Sequence, residues 1–461
     1  MEISYAEAIG VLRGRLGDRL NTGASVRSEH GRDESWHTAE PPDAVAMVES
    51  TEEVVDVVKI CADHAMPIIP YGAGTSIEGQ LMAIHGGLSL DVSRMNRVLE
   101  LNAEDLDVRV QPGVTRVALD DWLRESGLFF PVDPGADASL GGMVATRASG
   151  TNAVRYGTMR ENVLGLEVVL ADGRVVKTGG RARKSASGYD LTRLFVGSEG
   201  TLGVITEITL RLYGRPEQML SAVVSFSDIG SAVNAVIETI QMGVPVARIE
   251  LLDELQMRAV NRYSKLDYQE VPTLFLEFHG SQAGVREQVG EVEEICRAGG
   301  SGDFQWATDQ EERSRLWQAR HDAYFAALAL RPGCDGLTTD VCVPISRLSE
   351  CLMETRRVLE GSSLLAPIVG HVGDGNFHTL ILVQRDDPDE IEEARRINDR
   401  IVELALSVGG TCTGEHGIGL GKLDYMRAEH GAGVDVMRSI KQALDPADLM
   451  NPGKILGEHH P

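Results

Sequence analysis

The sequence predicts an α+β protein of two domains and a short C-terminal segment. Three observations carry this reading. The first third alternates helix signals with short apolar strands. Around Gly214-Arg215-Pro216-Glu217 the texture changes to longer helices alternating with strands. No repeat of fixed period and no low-complexity linker interrupts either part. At 461 residues, 43% hydrophobic and 25% charged, the composition is that of an ordinary globular protein. A chain of this length falls in the range of about two to four domains and needs no disulfide or metal to complete its core.

Taken in order, residues 1–20 read as an amphipathic helix. Ser50-Thr51-Glu52-Glu53 is a capping box, followed by Val54, Val55, Val58 and Cys61 or Ala62 at helical spacing. Residues 66–71, 87–92 and 106–110 read as strands. Residues 166–170 and 174–178 flank Ala171-Asp172-Gly173, a hairpin signal, and 202–212 is a further strand. Beyond the change of texture, 274–278 reads as a strand and 285–296 and 309–330 as helices. Asp387-Pro388-Asp389-Glu390 starts a helix with Pro at N1 and acids in the first turn. Its buried face is Ile391, Ala394, Ile397, Ile401 and Leu404, and Gly409-Gly410 ends it.

The charge excludes some functions. Asp plus Glu number 69 against 44 Lys plus Arg, a net charge of -25, which disfavours nucleic acid and anionic membrane as partners. No apolar run approaches the ~18 residues of a spanning helix, and the N-terminus carries acids where a signal or transit peptide has none. A bacterial-type cytoplasmic protein is expected, and a homodimer is left open. Six cysteines without a CxxC pair fit a reducing compartment and offer no iron–sulfur ligand run. An electron carrier here is organic, or a metal held by His and carboxylate.

Three glycine-rich stretches stand out. Gly72-Ala-Gly-Thr-Ser-Ile-Glu-Gly79 fails as a Rossmann fingerprint, which needs Gly at the Ile77 position. It fails as a Walker loop because Gln80 replaces the lysine. Alone it reads equally as a turn. The long small-residue stretch from Pro131 through Gly142 to Gly157 shifts the balance: its backbone N–H groups, with Ser139, Ser149 or Thr151, can meet phosphate oxygens. With Gly197–Gly203, these cradles suit an extended cofactor bearing a diphosphate.

His371-Val-Gly-Asp-Gly-Asn376-Phe-His378 lies between two strand signals, residues 364–370 and 379–383, and Gly373-Asp-Gly375 can turn the chain so that the histidines face each other. Glu415-His416 sits in a second glycine-rich bend. Two His and one carboxylate form a divalent-metal set. By spacing alone, His371 or His378 reads equally as a satisfied core histidine, and a metal-dependent hydrolase or a ligand-storage protein fits as well. Arg320, on the helix over 309–330, reads by itself as a solvated helix position; Asn451 reads equally as a helix C-cap. Trp306 and Trp317 read as core, and Arg181, Arg183 and Lys184 as a solvated loop.

These loops, with GHVGDGNFH and GTCTGEHGIGLGK, resemble the PCMH-type FAD-binding fold of the vanillyl-alcohol-oxidase-like flavoproteins, from about residue 40 onward. ARIELLDE, TLFLEFHGSQ and TTDVCVPISRL are most similar to the D-lactate dehydrogenase (cytochrome) type, with D-2-hydroxyglutarate dehydrogenases and the glycolate oxidase flavin subunit as relatives and alternatives. The resemblance implies an FAD-binding domain of two α+β subdomains at 1–216. It also implies a substrate and metal domain on an antiparallel sheet at 217–420, and a segment, 421–461, returning to the flavin domain. Its cofactor positions match Pro70, Tyr71, Gly72, Ala73, Gly74, Thr75, Ser76, Pro134, Gly135, Ser139, Gly141 and Gly142, then Ser149, Gly150, Tyr156, Val204, Ile205 and Asn451. FAD is expected to be non-covalent, because the first loop has no His to tether it. The resemblance further implies that His371, His378 and Glu415 hold a divalent metal, Mn or Zn. His416 would act as the base, and Arg320 and Asn376 would meet a small 2-hydroxy acid. The external electron acceptor would be a cytochrome, a quinone or an electron-transfer flavoprotein. The similar 2-hydroxyglutarate dehydrogenases carry a Lys where Thr338 stands here, which implies a preference for D-lactate.

Overall fold

The computed structural model describes residues 5–307 and 309–457; Met1–Ser4 of the predicted N-terminal helix lie outside them. The architecture is mixed α+β, as the sequence predicts. The chain divides into two compact units. The first comprises residues up to Ser149, Gly157–Arg215 and those from Glu415 on; the second comprises Gly150–Tyr156 and Pro216–Gly414. This differs from a partition by sequence alone. Residues 150–156 group with the second unit, and 415–420 group with the first.

Among the described residues the first unit contains a two-stranded sheet, Leu128–Phe129 with Tyr213–Gly214, and two larger sheets. In one, Ala44–Met47 and Ile68–Tyr71 flank Leu88–Asp91 in parallel, and Leu20–Asn21 adds an antiparallel edge. Helices Ala6–Leu16 and Thr51–Asp63 bury apolar faces in the same core. The Ser50 hydroxyl caps the second of these by accepting from the Glu53 amide. Its buried stripe is Val54, Val57, Val58 and Cys61, so Val57 takes the place expected for Val55. The other sheet is antiparallel, in the order Val98–Asn102, Asp107–Val110, Val204–Arg211, Val163–Val169, Val175–Gly179. The expected hairpin at Asp172-Gly173 is present, with Gly173 at φ +79°. The strand expected from Leu106 begins one residue later, because Leu106 itself is left-handed at φ +58°.

The second unit is built on one antiparallel sheet. Its order is Gln305–Ala307, Gln218–Ser225, Thr273–Gly280, Arg248–Leu252, Ile368–Gly370, Asn376–Val383, Asp335–Thr338. Two sequence expectations change here. The helix expected over 309–330 splits into Gln310–His321 and Ala323–Leu328, with Asp322 capping the first and leading the second. No Gly or Pro marks that break. The strand expected over 364–370 is confined to Ile368–Gly370. Pro367 has no N–H to donate, and it joins the neighbouring strand only through its carbonyl, which accepts from Leu380. The Pro388–Ser407 helix starts as predicted, with Asp387 capping Asp389 and Glu390 and Pro388 in its first turn. Among the described residues no helix is long and apolar enough to cross a membrane.

Candidate active site

One face of the second unit's sheet carries charge. Strand residues two apart share a face, which puts Arg248 and Glu250 on the same side of Arg248–Leu252. Glu250 sits in the run Ile249-Glu250-Leu251-Leu252 and is 1% exposed. Its Oε1 accepts from His371 Nδ1 at 2.8 Å. Its Oε2 accepts from Arg320 Nε at 2.9 Å and meets Arg320 Nη2 at 2.6 Å. Burial pushes the Glu250 carboxyl up, but the facing His371 and Arg320 outweigh this and hold it below the usual carboxylate range. Arg320 is 8% exposed, in the last turn of its helix. That rules out the solvated-helix reading.

His371 follows strand Ile368–Gly370. The chain then turns through Val372–Asp374 and Gly375 and returns as Asn376–Val383. Gly375 has φ +81°, and a Cβ there would lie 2.1 Å from the Val343 carbonyl oxygen, so only glycine fits. The pairing sets Val369 opposite His378. The rings of His371 and His378 are 5.5 Å apart, edge to face, and they offer nitrogens within 4.8 Å of one another. His378 Nδ1 donates to the Thr339 carbonyl at 3.2 Å, with Asp340 at 3.5 Å. With both Nδ1–H groups given to oxygens, the basic lone pair of each ring is on Nε2, the arrangement of metal-binding histidines. This donor chemistry fits a divalent metal. Asn376 is held by Asp340 and Val341, to which its Nδ2 donates at 2.8 and 2.9 Å.

A second buried pair lies on the same sheet. Arg248 is 3.6 Å from Glu277, donates to Asn152 at 3.0 Å, and stacks 4.5 Å from the Trp317 ring centroid. Burial pushes the Glu277 carboxyl up, but Arg248, His279 and Ser221 outweigh it and bring it to about 2. His279 bridges Glu277, at 2.9 Å, and the Tyr156 hydroxyl, at 2.8 Å. Tyr156, a cofactor residue by resemblance, is therefore tied into the second unit's polar network. Trp317 is core, as expected, with its N–H on Ser221.

In the first unit the glycine loops meet. A Cβ on Gly72 would sit 2.2 Å from Ser139 Oγ. Ser139 caps the helix Leu140–Thr146 by accepting from Gly142 N at 3.3 Å, so its hydroxyl already has a local partner. Gly74 has φ +76°. Val204 and Ile205 are buried at the head of their strand, and Ser149 is buried beside Gly150 at φ +153°. Asn451 runs beside strand Ile68–Tyr71, its amide donating to the Ile68 carbonyl. The preceding helix ends at Leu444, which removes the C-cap reading. Asn451 Nδ2 donates to the Gln80 and Glu199 carbonyls, and its buried Oδ1 has no protein partner. A close-approach glycine cradle and a buried orphan acceptor fit a flavin with its diphosphate and ring N–H.

His416 belongs to this unit, 3.7 Å from Glu78, which pairs with Lys422 at 2.9 Å. Gln80 donates to the His416 carbonyl. Glu199 accepts from the Ile418 and Gly419 amides at 2.8 Å each, holding the bend after His416. Burial pushes its carboxyl up to about 7. Sequence reasoning did not single out Glu78, Glu199, Glu250 or Asp340. A signal was present for three of them. Glu78 and Glu199 are the lone acids of their glycine loops, and Glu250 interrupts an apolar strand.

Residues 42–179 match the family model "FAD binding domain", and residues 215–455 match "FAD linked oxidases, C-terminal domain". A probable D-lactate dehydrogenase, mitochondrial, of Danio rerio is 55% identical over 97% of this chain and 91% of its own. The D-lactate dehydrogenase [cytochrome], mitochondrial, of Arabidopsis thaliana is 48% identical over 98% of this chain and 80% of its own. The solved structure of p-cresol methylhydroxylase with substrate bound shares the fold, with a TM-score of 0.78 at 20% identity over 98% of this chain and 97% of that one. Both sequence relatives are named as mitochondrial, which overturns the bacterial-type cytoplasmic expectation. Acids near the N-terminus did not decide that question.

Proposed function

The chain belongs to the FAD-linked oxidases, among the D-lactate dehydrogenases of the cytochrome type, and on that premise we propose that it oxidises D-lactate to pyruvate. The observation that carries this reading is the buried Arg320–Glu250–His371 chain with His378 beside it. It pairs a guanidinium for a carboxylate with imidazoles prepared for a metal. The hydrolase and storage readings fall away with family membership.

Arg320 binds the substrate carboxylate. Its Nε–Nη2 edge is taken by Glu250, so the substrate uses the Nη1 side of the fork. Asn376, held by Asp340, contributes a fixed polar side chain. By the resemblance, His371, His378 and Glu415 would be the residues that hold Mn²⁺ or Zn²⁺. A divalent metal held there would supply Lewis acidity that lowers the pKa of the substrate hydroxyl. His416 takes the hydroxyl proton. The glycine cradle, including Gly72, Gly74 and Ser139–Gly142, holds FAD without a covalent bond. When bound, FAD would supply the hydride acceptor, with an external acceptor as the final oxidant. A cytochrome is our reading of that acceptor, and mitochondria our reading of the location, from the relatives' names.

Substrate size follows from the cations. Thr338 stands where the similar 2-hydroxyglutarate dehydrogenases carry Lys, and Arg248 is already matched to Glu277. A second buried carboxylate would be unpaired, at a cost of several kcal/mol. The test is anaerobic flavin bleaching and steady-state kinetics across D- and L-2-hydroxy acids. D-lactate and D-2-hydroxybutyrate should bleach the flavin and L-lactate should not. A higher kcat/KM for D-2-hydroxyglutarate than for D-lactate would overturn the assignment.

A further inference from the structure

Glu250 gives one oxygen to each of two residues with different roles. Oε1 takes the His371 Nδ1–H and Oε2 takes the Nε–Nη2 edge of Arg320. We propose that Glu250 is a positioning residue that fixes the His371 tautomer and the Arg320 fork together, so that metal binding and substrate-carboxylate binding depend on one buried carboxylate. This rests on the reading of the site given above and extends it.

Stability does not account for the arrangement. A buried ion pair is often replaceable by apolar residues without loss, and the face of Glu250 is already shared with fully buried Leu252 on its own strand and Phe275 opposite it, an apolar setting that would accept an apolar side chain. Function accounts for both contacts. A histidine ligating through Nε2 must keep its proton on Nδ1, and a carboxylate that accepts this proton enforces that tautomer. A guanidinium with one edge anchored presents its remaining donors in a fixed plane. The neighbouring pair does not substitute. Arg248 is matched to Glu277, whose oxygens are engaged by His279 and Ser221.

Glutamine is the informative replacement because it has one acceptor and one donor end. Arg320 can only donate, so it claims the amide oxygen. The amide N–H₂ then faces His371 Nδ1 and moves the ring proton to Nε2, where it blocks ligation. With the amide reversed, the N–H₂ group opposes Arg320. Either way one partner is lost, whereas the carboxylate serves both.

The experiment uses FAD-loaded enzyme stripped by chelator and titrated calorimetrically with Mn²⁺ or Zn²⁺. Wild type, Glu250→Gln and His371→Ala are compared, with KM and kcat for D-lactate measured at saturating metal. Glu250→Gln should bind metal about 10–100-fold more weakly and raise KM more than it lowers kcat. Loss of metal in His371→Ala with unchanged affinity in Glu250→Gln would overturn the proposal and leave the metal site standing. Identical titrations for wild type and His371→Ala would remove the metal site, and the proposal with it. Should Glu250→Gln not fold, the tautomer is read on unaltered, metal-free enzyme by ¹⁵N NMR, assigned against His371→Gln. A proton on Nδ1 supports the proposal, and a proton on Nε2 overturns it.

Discussion

The two units of this protein present chemistry in different ways. In the first, most of the expected cofactor surface is backbone: glycines at 72, 74, 141 and 142, with a Gly72 Cβ excluded by Ser139. In the second, the working surface is side chains. One face of an antiparallel sheet carries Arg248, Glu250, Glu277, His279 and His378, faced by Trp317 and Arg320 from a helix. A backbone cradle tolerates side-chain substitution but not added bulk. A charged sheet face has the opposite sensitivity, because each buried charge depends on its partner.

The largest effect should come from the first unit's proposed base. His416→Gln should slow flavin reduction by D-lactate roughly 10²–10⁴-fold, the usual worth of a positioned base. The flavin content of the purified protein should stay at the wild-type level, because the cradle is backbone. Stopped-flow absorbance gives the first quantity and the bound flavin spectrum the second. Near-normal reduction would remove His416 from the mechanism, and loss of flavin would break the contrast between the units.

Arg320→Lys probes the second unit in the same terms. A point charge replaces a fork that must serve both Glu250 and substrate. One charged hydrogen bond is worth ~1.5–3 kcal/mol, so kcat/KM for D-lactate should fall roughly tenfold to a hundredfold or more. Flavin content should again be unchanged. An unaltered kcat/KM would reduce Arg320 to a structural partner of Glu250.

The same contrast explains what could be read from sequence. Backbone requirements appear directly as residue types. The Gly72–Gly79 loop, the Gly375 turn and the Ser50 and Asp387 caps were legible because few residues satisfy such conformations. The imidazoles of His371 and His378 were visible as a motif, but the partners that set their tautomers were not. Glu250 lies more than a hundred residues before His371 in the sequence, and sheet register alone brings them together. The helix break at Asp322 was silent for a related reason: no Gly or Pro marks it. The grouping of 150–156 with the second unit is a matter of tertiary contacts such as Arg248 to Asn152 and Tyr156 to His279, and no local signal encodes those.

Glu199 is where the contrast is weakest, because here a side chain supports the first unit's backbone. Its two oxygens hold the Ile418 and Gly419 amides just past His416, and burial pushes its carboxyl up to about 7. Between the ordinary carboxylate range and about 7, the folded chain holds a proton that the unfolded chain has released. Stability therefore falls as pH rises through that window, by at most roughly 1.4 kcal/mol per pH unit, and levels off above it. Asp253 in the second unit, also raised to about 7 by burial, adds a slope of the same sign. Glu199→Gln should accordingly flatten the pH dependence of thermal unfolding only in part, between about pH 5 and about pH 8. Glu199→Gln combined with Asp253→Asn should flatten it further. If the single variant kept the full wild-type slope, Glu199 would not be the group that holds the proton. The bend after His416 would then be held by an ionised Glu199, its two amides donating to a full carboxylate.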